Sequence, residues 1–341
     1  MRSVRDRTTA LVCGLVLLLA VGTVYSQYRG LARISDDGNA RHFVQLAQPA
    51  RVDRILRGDG GDPWQFRVAS EWLAKESERT AKALGFSDPA TVGLLGFRVL
   101  QNVAVFALAW LLYRRLGLAR GVAAVGLALL AYAMTRAGYN AGLTFDTYGD
   151  LAVYLAAGVL ILDRRYAWIV PLTIVGAVNR ETCGLVPLML AATGLRLGRR
   201  TAEGRRALML GLAALAAFAV TVAVVRVVVG PGHLIVPYGK HHGFELFEFN
   251  VGRAITWQNL FETLTIVPLL ALWRVRRWPP ALKTFALAVV PIWLAVHLFA
   301  AVLAETRLLL VPYALVAIPG ALIGLGSAQE RVSGHPAGVS A

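Results

Sequence analysis

Charge is what this sequence has least of. Asp, Glu, Lys and Arg make up 16% of the 341 residues, while 57% are hydrophobic; a soluble domain carries about 25% charged residues. That deficit excludes a water-soluble globule. Acids are scarcer than bases, 20 against 35, for a net charge of +15. A basic excess of this size often marks a polyanion partner, but here it is dispersed over short clusters between apolar runs, which argues for no nucleic acid. Cysteine is almost missing. Cys13 and Cys183 are too few and too separate for a disulfide framework or a tetrahedral zinc site, and they read as small buried hydrophobes.

What is abundant is apolar sequence in long runs, with a mean hydropathy of +0.57. A bilayer crossing takes about 20 apolar residues, and such runs recur from one end to the other. The reading is an all-α, polytopic transmembrane helical bundle of about ten spans, give or take two. The expected segments are 9–27, 92–113, 121–138, 151–162, 167–178, 183–195, 207–229, 260–273, 281–304 and 308–325. The short pair 167–178 and 183–195 also fits one broken or re-entrant element. Residues 1–326 form a single membrane domain, 28–91 its large first extracytoplasmic loop, and 327–341 a disordered cytoplasmic tail. The first segment reads as an uncleaved anchor, since no small-residue cleavage site follows it.

Loops rich in Arg and Lys stay in the cytoplasm. With Arg2, Arg5 and Arg7 inside, Arg114, Arg115 and Arg120 fall inside as well, then Arg164 and Arg165, the cluster from Arg196 to Arg206, and Arg274, Arg276 and Arg277. Both termini are then cytoplasmic. The opposite face collects Asp36 and Asp37, Asp146 and Asp150, the run "NRET" from Asn179 to Thr182, Lys240 and His241 in "YGKHH", and Glu305 with Arg307. Ionisable groups near a bilayer boundary are costly. Their gathering on one face predicts a polar cavity opening outward, lined by Asp36, Arg180 and Arg307 with Asp146 near the rim.

Blander readings exist for each. Asp36 and Asp37 suit a solvated helix start, and Arg180–Glu181 and Glu305–Arg307 suit boundary ion pairs. His241 and His242 bind a metal only if other ligands converge on them, so no metal site is assigned and a divalent-ion requirement is left open. In the first loop Trp64, Val68 and Trp72 recur at helical spacing, with Glu71, Lys75, Glu78 and Arg79 on other faces. This predicts an amphipathic interfacial helix, tryptophan side down.

Taken together, Asp36, Asp37 and Phe43, the segment "DPWQFRVASEW" with Arg67, the run "NRET" and the run "ETRLLLVPY" resemble the GT-C superfamily of integral membrane glycosyltransferases, bacterial mannosyltransferase-like members included. The resemblance implies transfer of a sugar from a polyprenyl-phosphate donor, outside the cytoplasm, to a glycan, glycolipid or protein acceptor of the envelope. It implies that Asp36, with Asp37 beside it, is the general base. Arg180, Glu181, Arg307, Glu305, Asp146, Lys240, His241 and Arg67 are then the donor-phosphate and substrate-binding candidates. Cations are needed where the departing phosphate accumulates charge, and the prenyl chain would lie among apolar spans. Richness in Ala, Leu, Val and Arg suits a GC-rich bacterial genome and its inner membrane. Two other classes answer to similar features: a transporter or flippase for an anionic lipid or solute, and a non-catalytic assembly subunit. No internal repeat supports the first, and the one-sided acids have no purpose in the second.

Overall fold

The computed structural model describes residues 2–138 and 141–333. Within them the chain is helical, with no strand beyond one parallel bridge between Asp62 and Leu234. Runs of Ala, Leu and Val facing lipid have no water to satisfy their backbone, so the helix is the economical answer. After α1 (Arg2–Leu31) the chain makes an excursion through α2 (Gln48–Leu56) and α3 (Val68–Ala83) and returns along α4 (Pro89–Arg115). Next come α5 (Arg120–Ala137), α6 (Phe145–Leu162), the short α7 (Ile169–Asn179) and α8 (Leu185–Leu197), and the long α9 (Ala202–Val229). A loop leads to α10 (Phe244–Gly252), α11 (Ala254–Leu264) and α12 (Val267–Trp273), then to α13 (Pro280–Ala300) and α14 (Ile318–Ser333).

Six stretches among these are long and apolar enough to cross a membrane: Thr9–Leu31, α4, α6, α9, α13 and Thr306–Leu325. The α11–α12 pair, bent by 73°, makes a seventh if it is one broken span. Helix covers most of each of the ten expected segments, but fewer meet the length and hydropathy of a span. With 11 and 13 residues, α7 and α8 reach no more than about 20 Å at ~1.5 Å per residue, short of a ~30 Å hydrocarbon core. They are joined through Arg180 and a 3₁₀ turn, Glu181–Gly184. The last helix runs to Ser333, into the segment expected to be a disordered tail; residues 334–341 lie outside the described residues.

Lipid-facing surface is plain on α9, which exposes Met209, Leu212, Val220, Val224, Val227 and Val228. Cys13 is exposed on α1, against expectation, while Cys183 is buried. α9 packs closely on α8 through glycines: a Cβ at Gly194 would come 2.6 Å from the Leu208 nitrogen, and one at Gly211 2.8 Å from that of Ala191. Small residues let membrane helices approach in this way. Two large buried polar tips in the core are satisfied by backbone carbonyls, Trp293 Nε1 donating to Leu308 O at 2.7 Å and Tyr113 Oη to Ala314 O at 3.0 Å.

In the loop helix one residue is placed otherwise than expected. Trp72 is 54% exposed and Leu73 nearly as much, whereas Glu71, expected on a solvated face, is buried together with Ser70 and Ala74. α3 is held down on α4 instead, where Gly93 lies so close to α3 that a Cβ there would sit 2.5 Å from the Glu78 Cα. One end of α6 carries Asp146 and the other leads to Asp163, about 27 Å apart for 18 helical residues. At the Asp163 end the expected basic loops meet: Arg115 Nε donates to Asp163 Oδ1 at 2.5 Å and Arg164 Nε lies 3.2 Å from Glu203 Oε1.

Candidate functional site

Four chain segments converge at the Asp146 end of α6. Arg67 closes a 3₁₀ turn, Trp64–Phe66, and begins α3. Its Nη1 donates to Asp146 Oδ2 at 3.0 Å and its Nε to Glu181 Oε2 at 3.2 Å, with Nη2 on the other oxygen of Glu181. Burial opposes the charge on this guanidinium, but Glu181 and Asp146 outweigh it and hold the group protonated well above its ordinary range. Asp146 lies in the first turn of α6, where the helix dipole favours an anion. Its carbonyl accepts from Asn179 Nδ2 at 2.9 Å, and Ser70 Oγ donates to Asn179 Oδ1. The excursion, α6 and the α7–α8 break are tied together by these bonds.

Arg180 and Arg307 are the loosely bound cations. Arg180 is an extended residue in the break after α7, with its Nη1 3.4 Å from Thr147 Oγ1 and its Nε 4.0 Å from Asp150 Oδ2. Arg307 approaches the same Thr147 oxygen at 3.4 Å, and its Nη2 donates to Glu305 Oε2. Both guanidinium groups are buried, and the Nε of each has no hydrogen-bond partner. A buried donor left unmet costs about 1–3 kcal/mol, more when charged, and a planar guanidinium suits an anion with several acceptor oxygens.

Arg67, Arg180, Glu181, Glu305 and Arg307 line a cavity of about 360 Å³. Arg226, stacked over the Phe66 ring at 4.7 Å, and His297 add to its polar lining, and Leu234, Ile235, Val296 and Ala300 to its apolar lining. A second, almost wholly apolar groove of about 230 Å³ shares Glu181, Thr182, Val296 and His297 with it and continues over Gly184, Leu185, Phe218, Ile292 and Trp293, on α8, α9 and α13. Headgroup-like chemistry and tail-like chemistry therefore adjoin.

Behind the cavity lies a buried layer. Neither carboxylate oxygen of Glu71 has a hydrogen-bond partner, and the nearest cation, Arg51, is 3.8 Å away. Burial, only partly countered by Arg51, pushes its carboxyl up to about 7. Arg98 is fully buried under Phe145 and Tyr148, 4.9 and 4.0 Å from their ring centres.

Of the residues expected at the site, Arg67, Asp146, Arg180, Glu181, Glu305 and Arg307 are brought together. Asp146 is buried beneath Arg67 instead of standing at the rim. Asp36 and Asp37 are not brought to the cavity. Both are exposed, and Asp37 orders a turn: Ser35 Oγ and the Asn39 backbone N–H donate to its Oδ1 at 2.5 and 2.9 Å, and His42 Nδ1 lies 2.6 Å from Oδ2. Those bonds, that of Ser35 first, bring its carboxyl down to about 2. Asn39 then caps the helix that follows. Lys240 and His241 are exposed outside the cavity, while the neighbouring His242 lines it. Asp62, Arg226 and His297 were missed by the sequence reading. Arg226 and His297 each interrupt an apolar run, and an ionisable group within a span is a functional signal by default. Among the described residues no group of His, Cys, Asp and Glu is arranged to hold a metal ion. No family model, curated protein or solved structure matches the chain.

Proposed function

We propose that this chain is a multi-pass membrane glycosyltransferase that takes a sugar from a polyprenyl-phosphate donor and passes it to an extracytoplasmic glycan, glycolipid or protein. One observation carries the reading: two buried arginines, each with its Nε left unmet, line a cavity that adjoins an apolar groove on α8, α9 and α13. A phosphate fits the first and a prenyl chain the second. Arg67, fully engaged by Asp146 and Glu181, positions the wall, while Arg180 and Arg307 neutralise the phosphate as it departs. Glu305, partly exposed beside Arg307, is the carboxylate that takes the acceptor's proton. The unmet donors also favour the enzyme reading over a subunit with only a structural part in an assembly.

The experiment is binding of a polyprenyl phosphate, with the uncharged polyprenol as comparison, to the purified parent, Arg180→Ala and Arg307→Ala, followed by transfer from a sugar-loaded donor. The parent should prefer the phosphate, and each variant should bind it about tenfold more weakly or worse, since the other groups of the site are left imperfectly paired. Equal binding of phosphate and polyprenol by all three proteins rejects the reading. Phosphate binding with solute or lipid movement but no transfer assigns the site to a transporter instead.

A further inference from the structure

A second chamber, of about 330 Å³, lies on the other side of Glu305 and Arg307 and shares Val302, Glu305 and Arg307 with the first. Its chemistry is different. The α11 side chains Gln258, Asn259 and Glu262 form its wall, with a Thr263–Thr306 hydroxyl pair at 2.8 Å. The carboxylates here are engaged within the wall: Glu262 accepts from Arg136 and from Gln258 Nε2 at 2.9 Å, and Glu305 accepts from Arg307. Arg253 lies over the Phe249 and Tyr238 rings at 4.4 and 5.7 Å. What remains on offer is neutral and two-way, since amides and hydroxyls both donate and accept.

Tyr238 adds an aromatic face. Its ring is 71% exposed, and its backbone is in the left-handed region at φ 54°, an outlier for a bulky residue and a form of strain that gathers at binding sites. The segment that holds it spans both chambers, with Leu234, Ile235 and Pro237 on the first and Tyr238 on the second. An uncharged, many-hydroxyl ligand with one apolar face matches this wall.

We propose that this chamber binds the acceptor through a glycosyl unit, an inference that rests on the transferase reading. A hydroxyl of that unit is presented at the shared wall. Its oxygen forms the new bond to the donor sugar's anomeric carbon and its proton passes to Glu305. The bond from that carbon to the phosphate oxygen breaks, and the electron pair leaves with the lipid phosphate held by Arg180 and Arg307.

Two cysteine reporters test it, each in the full chain with Cys13→Ser, reconstituted in lipid nanodiscs free of glycoside detergent. Ile255→Cys lies in the second chamber and Leu234→Cys in the first; both positions are exposed and neither side chain makes a polar contact. Maleimide labelling is timed with octyl glucoside and octyl mannoside below micelle concentration, or with a polyprenyl phosphate. The glycosides should slow Ile255→Cys and leave Leu234→Cys unchanged, and adding Glu262→Gln should raise the protecting concentration about tenfold. Polyprenyl-phosphate protection of Leu234→Cys carrying the same Glu262→Gln change shows that this change leaves the protein folded. If no glycoside slows Ile255→Cys while polyprenyl phosphate still protects Leu234→Cys, or if glycosides protect both reporters equally, the acceptor chamber is refuted. If glycosides protect Ile255→Cys and polyprenyl phosphate protects nothing, the sugar chamber stands and the donor assignment falls.

Discussion

At the scale of single residues, the question is which carboxylate does chemistry. Asp37 spends its oxygens on Ser35, Asn39 and His42, the work of a turn-former ahead of a helix start, and Asp36 beside it is exposed. Glu305 stands between two chambers. Glu305→Gln should therefore lower transfer by about 100 to 10,000-fold, the worth of a general base, while polyprenyl-phosphate binding persists because the arginines remain. Asp36→Asn should turn over near the parent rate. A transfer assay on both variants decides; full activity in Glu305→Gln with loss in Asp36→Asn would return the base to the acid pair. Much of this site could be read in the chain itself. Arg180, Glu181, Glu305 and Arg307 announce themselves because ionisable groups are costly where apolar runs end. Gln258 and Asn259 fall just before the expected span 260–273 and Glu262 within it, and nothing in that run marks them as lining a chamber.

At the scale of elements, α3 is where pattern and packing part. Tryptophans at helical spacing correctly indicate a helix, but the pattern alone does not say that a protein surface, and not only lipid, waits beneath it. The contact with α4 depends on a missing side chain. Gly93→Ala would force a Cβ to within 2.5 Å of backbone atoms of α3, which cannot yield as a side-chain tip does, and should cost about 1–3 kcal/mol as overpacking does. Gly96→Ala, on the same helix with nothing within 4 Å, should be neutral or stabilise by up to about 1 kcal/mol through helix propensity. Comparing thermal midpoints checks the pair, and equal effects would refute the close approach.

The same helix carries a pH dependence. Glu71 faces Arg51, Asp146, Arg98 and Arg67, yet burial dominates, and its folded carboxyl at about 7 lies above the ordinary 4.5. Between those values the folded state holds a proton that the unfolded chain has lost, so stability falls as pH rises through the window. The shift corresponds to roughly 3 kcal/mol. The parent should lose thermal stability from pH 5 to 8, and Glu71→Gln, which stays neutral, should lose less. A parent midpoint flat over that range, or identical slopes in the two proteins, would show that Glu71 is not held in this way.

At the scale of the whole molecule, α6 separates two polar ends that share little chemistry. One end has Arg67, Arg180, Arg307 and two chambers; the other has Arg115, Asp163, Arg164 and Glu203 in short surface ion pairs, of the kind that contribute little stability. Three of the basic stretches that the sequence groups on one side, those around Arg115, Arg164 and Glu203, meet at that second end. Because arginine-rich short loops are retained in the cytoplasm, the chamber end should face outward. An impermeant maleimide applied to intact cells should then label Leu234→Cys, at the mouth of the first chamber, and leave Arg199→Cys untouched until the membrane is opened, both in a Cys13→Ser background. Labelling of Arg199→Cys from outside would invert the molecule, put both chambers on the cytoplasmic side where nucleotide-activated sugars are also at hand, and remove the reason for a lipid-phosphate donor.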